Sequence, residues 1–153
     1  AAAIATDSRF VADELRLHLD LREKPVEVIY CGLTISPEED AARPAYLPNK
    51  PFLFTIGEVV PKKSVHVLLD LVASLPGYSL VIAGKKTHEY AAWIETQIRE
   101  KQRSDRVFLP GQIPGNERLW LYQHCEAFCF PSITEGFGLP VIEAMALGRP
   151  VFT

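Results

Sequence analysis

From Pro51 to the end of the chain, short apolar runs alternate with helical patterns, and this alternation constrains the fold more than any other feature. Phe52–Gly57 (FLFTIG) is an apolar run that stops at glycine and reads as a strand. Ser64–Leu75 places Val65, Leu68, Leu69, Val72 and Leu75 at helical spacing, and Pro76-Gly77 then breaks the chain. Leu80–Ala83 (LVIA) is strand-like and ends at Gly84, while His88–Gln102 is helical with Tyr90, Trp93, Ile94 and Ile98 on one face. Arg106–Leu109 predicts a third strand, Asn116 a helix cap for a segment running to His124, and Ala127–Phe130 a fourth strand. Pro140–Leu147 predicts a helix with proline at its start and Gly148 past its end, followed by a strand at Val151-Phe152.

Strands separated by helices imply βαβ units and a parallel sheet. The strands are apolar on both faces, as expected where helices cover both sides. The expected fold class is therefore α/β, a Rossmann-like doubly wound parallel sheet, and in such sheets ligands bind at the carboxyl ends of the strands. The first 50 residues read differently. Ser8–Leu19 predicts one amphipathic helix, Val26–Tyr30 one strand, and Ser36–Asn49, rich in proline and charge, a surface connection. Two segments follow: 1–50, linker-like, and 51–153, the Rossmann-like domain. A chain that stops as a core strand begins, and starts without Met, reads as part of a longer protein.

Composition narrows the function classes. At 153 residues with 48% hydrophobic and 23% charged, the chain has enough apolar residues for a core and too few charges for disorder. It has no apolar run of about 18 residues and no signal-peptide pattern at its start. A net charge of −3 makes nucleic acid an unexpected partner. Cys31, Cys125 and Cys129 make no disulfide framework, which points to a reducing, cytoplasmic setting. Cys125 and Cys129 read as small buried hydrophobes, Trp93 as a core residue, and the four histidines have no metal-ligand spacing.

The residues best able to carry chemistry lie in Pro131–Pro150, PSITEGFGLPVIEAMALGRP. Seven residues separate Glu135 from Glu143, and Gly136 and Gly138 flank Phe137 just before a helix that begins near Leu139. The glycines permit a tight turn and close approach to a ligand. The helix start offers unpaired N–H groups to a phosphate. A carboxylate accepts two hydroxyl hydrogen bonds, so a sugar diol suits Glu143. The pattern alone leaves a structural role open, because acidic residues favour first helical turns and Ser132-x-x-Glu135 fits a capping box. Gly57–Ser64 (GEVVPKKS) is the loop after the first strand of the sheet, where Lys62 and Lys63 can neutralise a diphosphate; exposed lysines in a loop are more often merely solvated.

FLFTIGEVVPKK, LVIAGKK, RVFLPGQIP and LWLYQHCEAFCFPSITEGFGLPVIEAMALGRPV, in that order, resemble the C-terminal, nucleotide-sugar-binding domain of the retaining family-4 glycosyltransferases (glycosyl transferases group 1) of the GT-B fold. SRFVADELRLHL and VIYCGL resemble the segment that joins the two halves. The resemblance implies transfer of a hexose, with retention, from a GDP- or UDP-linked donor such as GDP-mannose or UDP-glucose to a glycan or lipid-linked glycan acceptor. It implies no cofactor and no metal, an N-terminal acceptor domain outside this chain, and peripheral membrane association of the full-length enzyme. By resemblance, Glu143 holds the ribose hydroxyls and Glu135 lies near the transferred sugar. The backbone of Gly136, Phe137, Gly138 and Leu139 meets sugar and β-phosphate. Lys63, with Lys62 and Gly57, grips the diphosphate, Ile113 meets the base, and Lys85 faces phosphates or base. Glu58 stands where family members commonly carry Arg. A carboxylate there repels phosphate if close, so either the lysines carry the clamp or Glu58 points away. The alternatives are a catalytically inactive nucleotide-sugar-binding module and a GT-B-type epimerase.

Overall fold

The computed structural model describes residues 3–33 and 40–153. They form two compact units. The first holds the described residues up to Leu33 together with Glu135–Leu139, and the second holds the rest.

In the first unit, β1 (Ile4–Thr6) and β2 (Val26–Val28) pair in parallel, with α1 (Arg9–His18) between them in sequence. Ser8 caps α1, its hydroxyl oxygen accepting from the Val11 N–H at 3.2 Å. Arg16 and His18 in its last turn suit the negative end of the helix dipole. The sequence shows β2 and α1 but not β1, because a three-residue strand carries no readable period. Tyr30, predicted to end the strand, lies outside it and stacks on Phe137, with ring centroids 5.9 Å apart.

The second unit is built on five parallel strands in the order β5-β4-β3-β6-β7. These are β3 (Phe52–Ile56), β4 (Ser79–Ala83), β5 (Val107–Gly111), β6 (Ala127–Cys129) and β7 (Val151–Phe152). Between them run α2 (His66–Ala73), α3 (Glu89–Glu100), α4 (Gly115–His124) and α5 (Leu139–Ala146). Alternation along each strand sorts its side chains between two cores. Leu53, Leu80 and Ile82 pack with Leu68, Leu69 and Val72 of α2 and Ala91, Ile94 and Ile98 of α3. Phe52, Phe54 and Val81 pack with Leu121 and Tyr122 of α4 and Ala144 of α5. Helices thus cover both faces, as the unbroken apolar runs require.

Three local expectations differ. Pro114, not Asn116, occupies the N-cap of α4, because its extended backbone turns the chain two residues earlier and Asn116 sits in the first turn. Trp93 is 45% exposed and stacks on Tyr90 at 5.5 Å, since the inward positions of α3 fall on Ala91, Ile94 and Ile98. Ser132 is not the N-cap of α5, because that helix starts only at Leu139. The end of α5 follows its sequence: Gly148 takes φ +71°, donating to Met145 O, and Arg149 N–H reaches Ala144 O. Those are the two bonds of a glycine-terminated helix. Of the predicted connection Ser36–Asn49, residues 36–39 lie outside the described residues, and 40–49 hold no helix or strand.

Cys125 and Cys129 are buried, as expected, and Cys31 is exposed. Burial pushes the Cys125 thiol up to about 12 and the Cys129 thiol up to about 11. Both stay protonated near neutrality, and the thiol form is unreactive. At pH 8, iodoacetamide is expected to label Cys31 in the folded protein and the other two only after denaturation, as intact-mass measurement will show.

Candidate functional site

Strand order makes β3 the topological switch point of the second unit. The chain moves one way from β3 to β4 and β5, then returns to the other side of β3 for β6 and β7. The loops leaving β3 and β6 therefore diverge, and a crevice opens at the carboxyl ends of the strands.

Backbone hydrogen bonds lace these loops together. Gly57 N–H donates to Ala83 O at 3.0 Å, Gly84 N–H to Gly111 O at 2.8 Å, and Val59 N–H to Lys85 O at 2.9 Å. Gly84 adopts φ +135°, and a Cβ there would overlap the carbonyl oxygen of Gly57. Pro61–Lys63 form a single 3-10 turn after β3. Lys62 O accepts from Ile133 N–H at 2.8 Å, which ties the loop after β3 to the loop after β6. Lys63 is half-buried, with its Nζ 4.8 Å from the centroid of the Phe130 ring. Lys62 is exposed.

Beside this turn, a cleft of about 480 Å³ lies over the ends of β3, β4 and β5. Gly57, Glu58, Lys85, Gln112, Ile113 and Arg118 line it. Four sequence-predicted or flagged positions (Gly57, Glu58, Lys85 and Ile113) thus share one wall. Glu58 Oε1 accepts from the Thr87 hydroxyl at 3.3 Å.

Glu143, on α5, is held from α4. Tyr122 Oη donates to Glu143 Oε2 at 2.7 Å, and Arg118 Nη1 stands 3.6 Å from Oε1. The Glu143 side chain is 14% exposed. Burial first, and the Glu143 charge second, drive the Tyr122 hydroxyl far above the ordinary tyrosine range, so it stays a proton donor. Sequence reasoning did not single out Arg118 or Tyr122. Their i,i+4 spacing on a helix was the available signal, since it puts both on one side of α4.

Within the first unit, Glu135 is half-buried and Phe137 packs on Tyr30. Gly138 takes φ +77°, a backbone region natural to glycine. Among the described residues, no group of three or more His, Cys, Asp or Glu is placed to hold a metal ion. No helix of the described residues is long and apolar enough to cross a membrane.

Residues 37–153 match the family described as Glycosyl transferases group 1. The chain belongs to this family. Among curated relatives of this group 1 glycosyl transferase, the D-inositol 3-phosphate glycosyltransferase of Mycolicibacterium smegmatis is 34% identical over 137 residues, spanning 82% of this chain and 31% of the relative. The O-antigen chain mannosyltransferase RfbU of Salmonella typhimurium is 28% identical over 97% of this chain and 40% of its own length. The chain thus spans well under half of the relatives it matches. The sucrose-phosphate synthase of Thermosynechococcus elongatus superposes on 99% of the chain with a TM-score of 0.80 and 26% identity, again over 40% of that protein. Anabaena HepE, solved with UDP and glucose, gives a TM-score of 0.79 at 20% identity, over 99% of this chain and 44% of HepE. This group 1 glycosyl transferase therefore has the Rossmann-like α/β fold of the GT-B enzymes, as its strand pattern implies.

Proposed function

We propose that residues 51–153 form the donor-binding domain of an enzyme that moves a hexose, with retention of configuration, from a nucleotide diphospho-sugar to a glycan or lipid-linked glycan. Residues 1–50 then act as the joining segment, and an N-terminal acceptor domain completes the enzyme. The observation that carries the reading is the carboxyl end of the sheet in the second unit. There a cleft of about 480 Å³ over the ends of β3, β4 and β5 has Lys85 and Ile113 on its wall, and Glu143 is held by Arg118 of the same wall.

The chemistry follows from charge. Breaking the bond between sugar and diphosphate leaves negative charge on the phosphate oxygens, and fixed positive groups lower that barrier most. Lys62 and Lys63, with the N–H groups at the start of α5, supply it without a metal. Glu143 receives the ribose hydroxyls and Ile113 meets the base. Glu135 and the backbone of Gly136–Leu139 are assigned to the sugar and β-phosphate from the motif alone. The Glu58 carboxylate, turned to Thr87, leaves the clamp to the lysines. Relatives named as mannosyltransferases favour GDP-mannose over UDP-glucose. Peripheral membrane association belongs to the same reading, through a lipid-linked acceptor.

The clamp is tested by charge removal. Lys62→Ala with Lys63→Ala is expected to weaken binding of a nucleoside diphosphate at least tenfold and to leave the parent nucleoside unaffected. Equal loss for both ligands, or none for either, counts against a diphosphate at these lysines. Retention is read from the anomeric signal of the product by NMR in a transfer assay with the complete enzyme.

A further inference from the structure

We propose that Tyr122 is a positioning residue, whose hydroxyl fixes the Glu143 carboxylate in the orientation that accepts a vicinal diol. The inference rests on the reading of Glu143 as the ribose-binding group. A glutamate side chain swings about three torsions, and a diol requires both of its hydroxyls to find acceptor positions on one carboxylate at once. A carboxylate free to rotate meets that demand only part of the time.

The Tyr122 ring is held fast. It is fully buried, edge-on to Phe54 at 5.1 Å and tilted against Phe128 at 5.3 Å. Its hydroxyl has one proton, and that proton goes to Glu143 Oε2 at 2.7 Å. An ionised carboxylate is acceptor-only, so the direction of the bond is fixed. One lone-pair position of Oε2 is thereby taken, and the remaining positions are held in a set direction. A cation, Arg118, also faces this carboxylate. At 3.6 Å from Oε1 its guanidinium attracts the carboxylate without the short contact of a hydrogen bond, leaving Oε1 open to a ligand hydroxyl. Arg118 also lines the cleft, which puts the fixed carboxylate 3.6 Å from a cleft-lining side chain. The ring of Tyr122 serves the core, but a phenylalanine serves that purpose equally. The hydroxyl has its use in Glu143.

The test compares ribo- and 2′,3′-dideoxynucleoside diphosphates by calorimetric titration of the protein, with wild type, Tyr122→Phe and Glu143→Gln. Wild type is expected to prefer the ribo form by tenfold or more. Tyr122→Phe is expected to lose most of that preference by weakening the ribo form alone, with dideoxy binding unchanged. A purely structural role for Tyr122 would weaken both forms alike, and that result, or full retention of the preference, overturns the proposal. No preference in wild type, or no binding of either form, refutes the ribose reading of Glu143 itself and the proposal with it. A second readout does not depend on the variant's stability. In wild type, the Tyr122 hydroxyl proton is expected as a slowly exchanging downfield NMR signal that shifts on adding the ribo form but not the dideoxy form. An unchanged signal with bound ribo ligand overturns the proposal.

Discussion

Glu143→Ala is expected to lower affinity for the preferred nucleoside diphosphate about a hundredfold. Hydrogen bonds to a charged group contribute roughly 1.5–3 kcal/mol each, and two lost together correspond to at least that factor. The same change strips Tyr122 of its acceptor and Arg118 of its carboxylate. A buried hydroxyl left unpaired costs about 1–3 kcal/mol, so the variant should also melt earlier. Glu143→Gln separates the two effects, because its amide oxygen still accepts from Tyr122 while the charge is gone. Comparable binding loss in both variants, with a smaller fall in melting temperature for Glu143→Gln, is the expected pattern. Wild-type affinity in Glu143→Ala would remove this residue from the site.

Gly84→Ala is expected to be the most damaging single-methyl change in the loops of the sheet. The backbone at Gly84 sits at φ +135°, and an added Cβ would run into the Gly57 carbonyl. Neither partner is a flexible side-chain end, so the ends of β3 and β4 must part. Strain of this kind costs about 3 kcal/mol or more. For a chain of this size that is roughly a 10 °C fall in melting temperature. Gly57 lines the cleft, so ligand affinity should fall with stability. Gly77→Ala is the control: its Cβ would meet nothing within 4 Å, and thermal unfolding should hardly change. Equal melting temperatures for the two variants would show that the close approach is absent in solution.

The doubly wound fold was legible because its strands are apolar on both faces and its helices carry a clear 3.6-residue period. FLFTIG and LVIAG end on glycines that the structure uses where chains approach closely, at Gly57 and Gly84. Short elements escaped, as β1 did, because three residues carry no pattern. Trp93 misled because aromatic residues at helical spacing need not face the core; one residue along, Ile94 does. In the site, motif positions were readable one by one, but their supports were not. Nothing in the sequence says that Tyr122 of α4 reaches Glu143 of α5, 21 residues on, or that Thr87 captures Glu58. Those contacts depend on how helices and loops of separate βα units pack, which neither period nor spacing encodes.

The carboxyl end of this sheet is expected to bind a nucleoside diphosphate. Calorimetric titration of the complete protein with UDP, GDP, ADP and CMP tests it most directly. Saturable binding of one uridine or guanosine diphosphate is expected, at one site per chain, with a matching rise in melting temperature as the ligand stabilises the folded state. Folded protein that binds none of the four would contradict it.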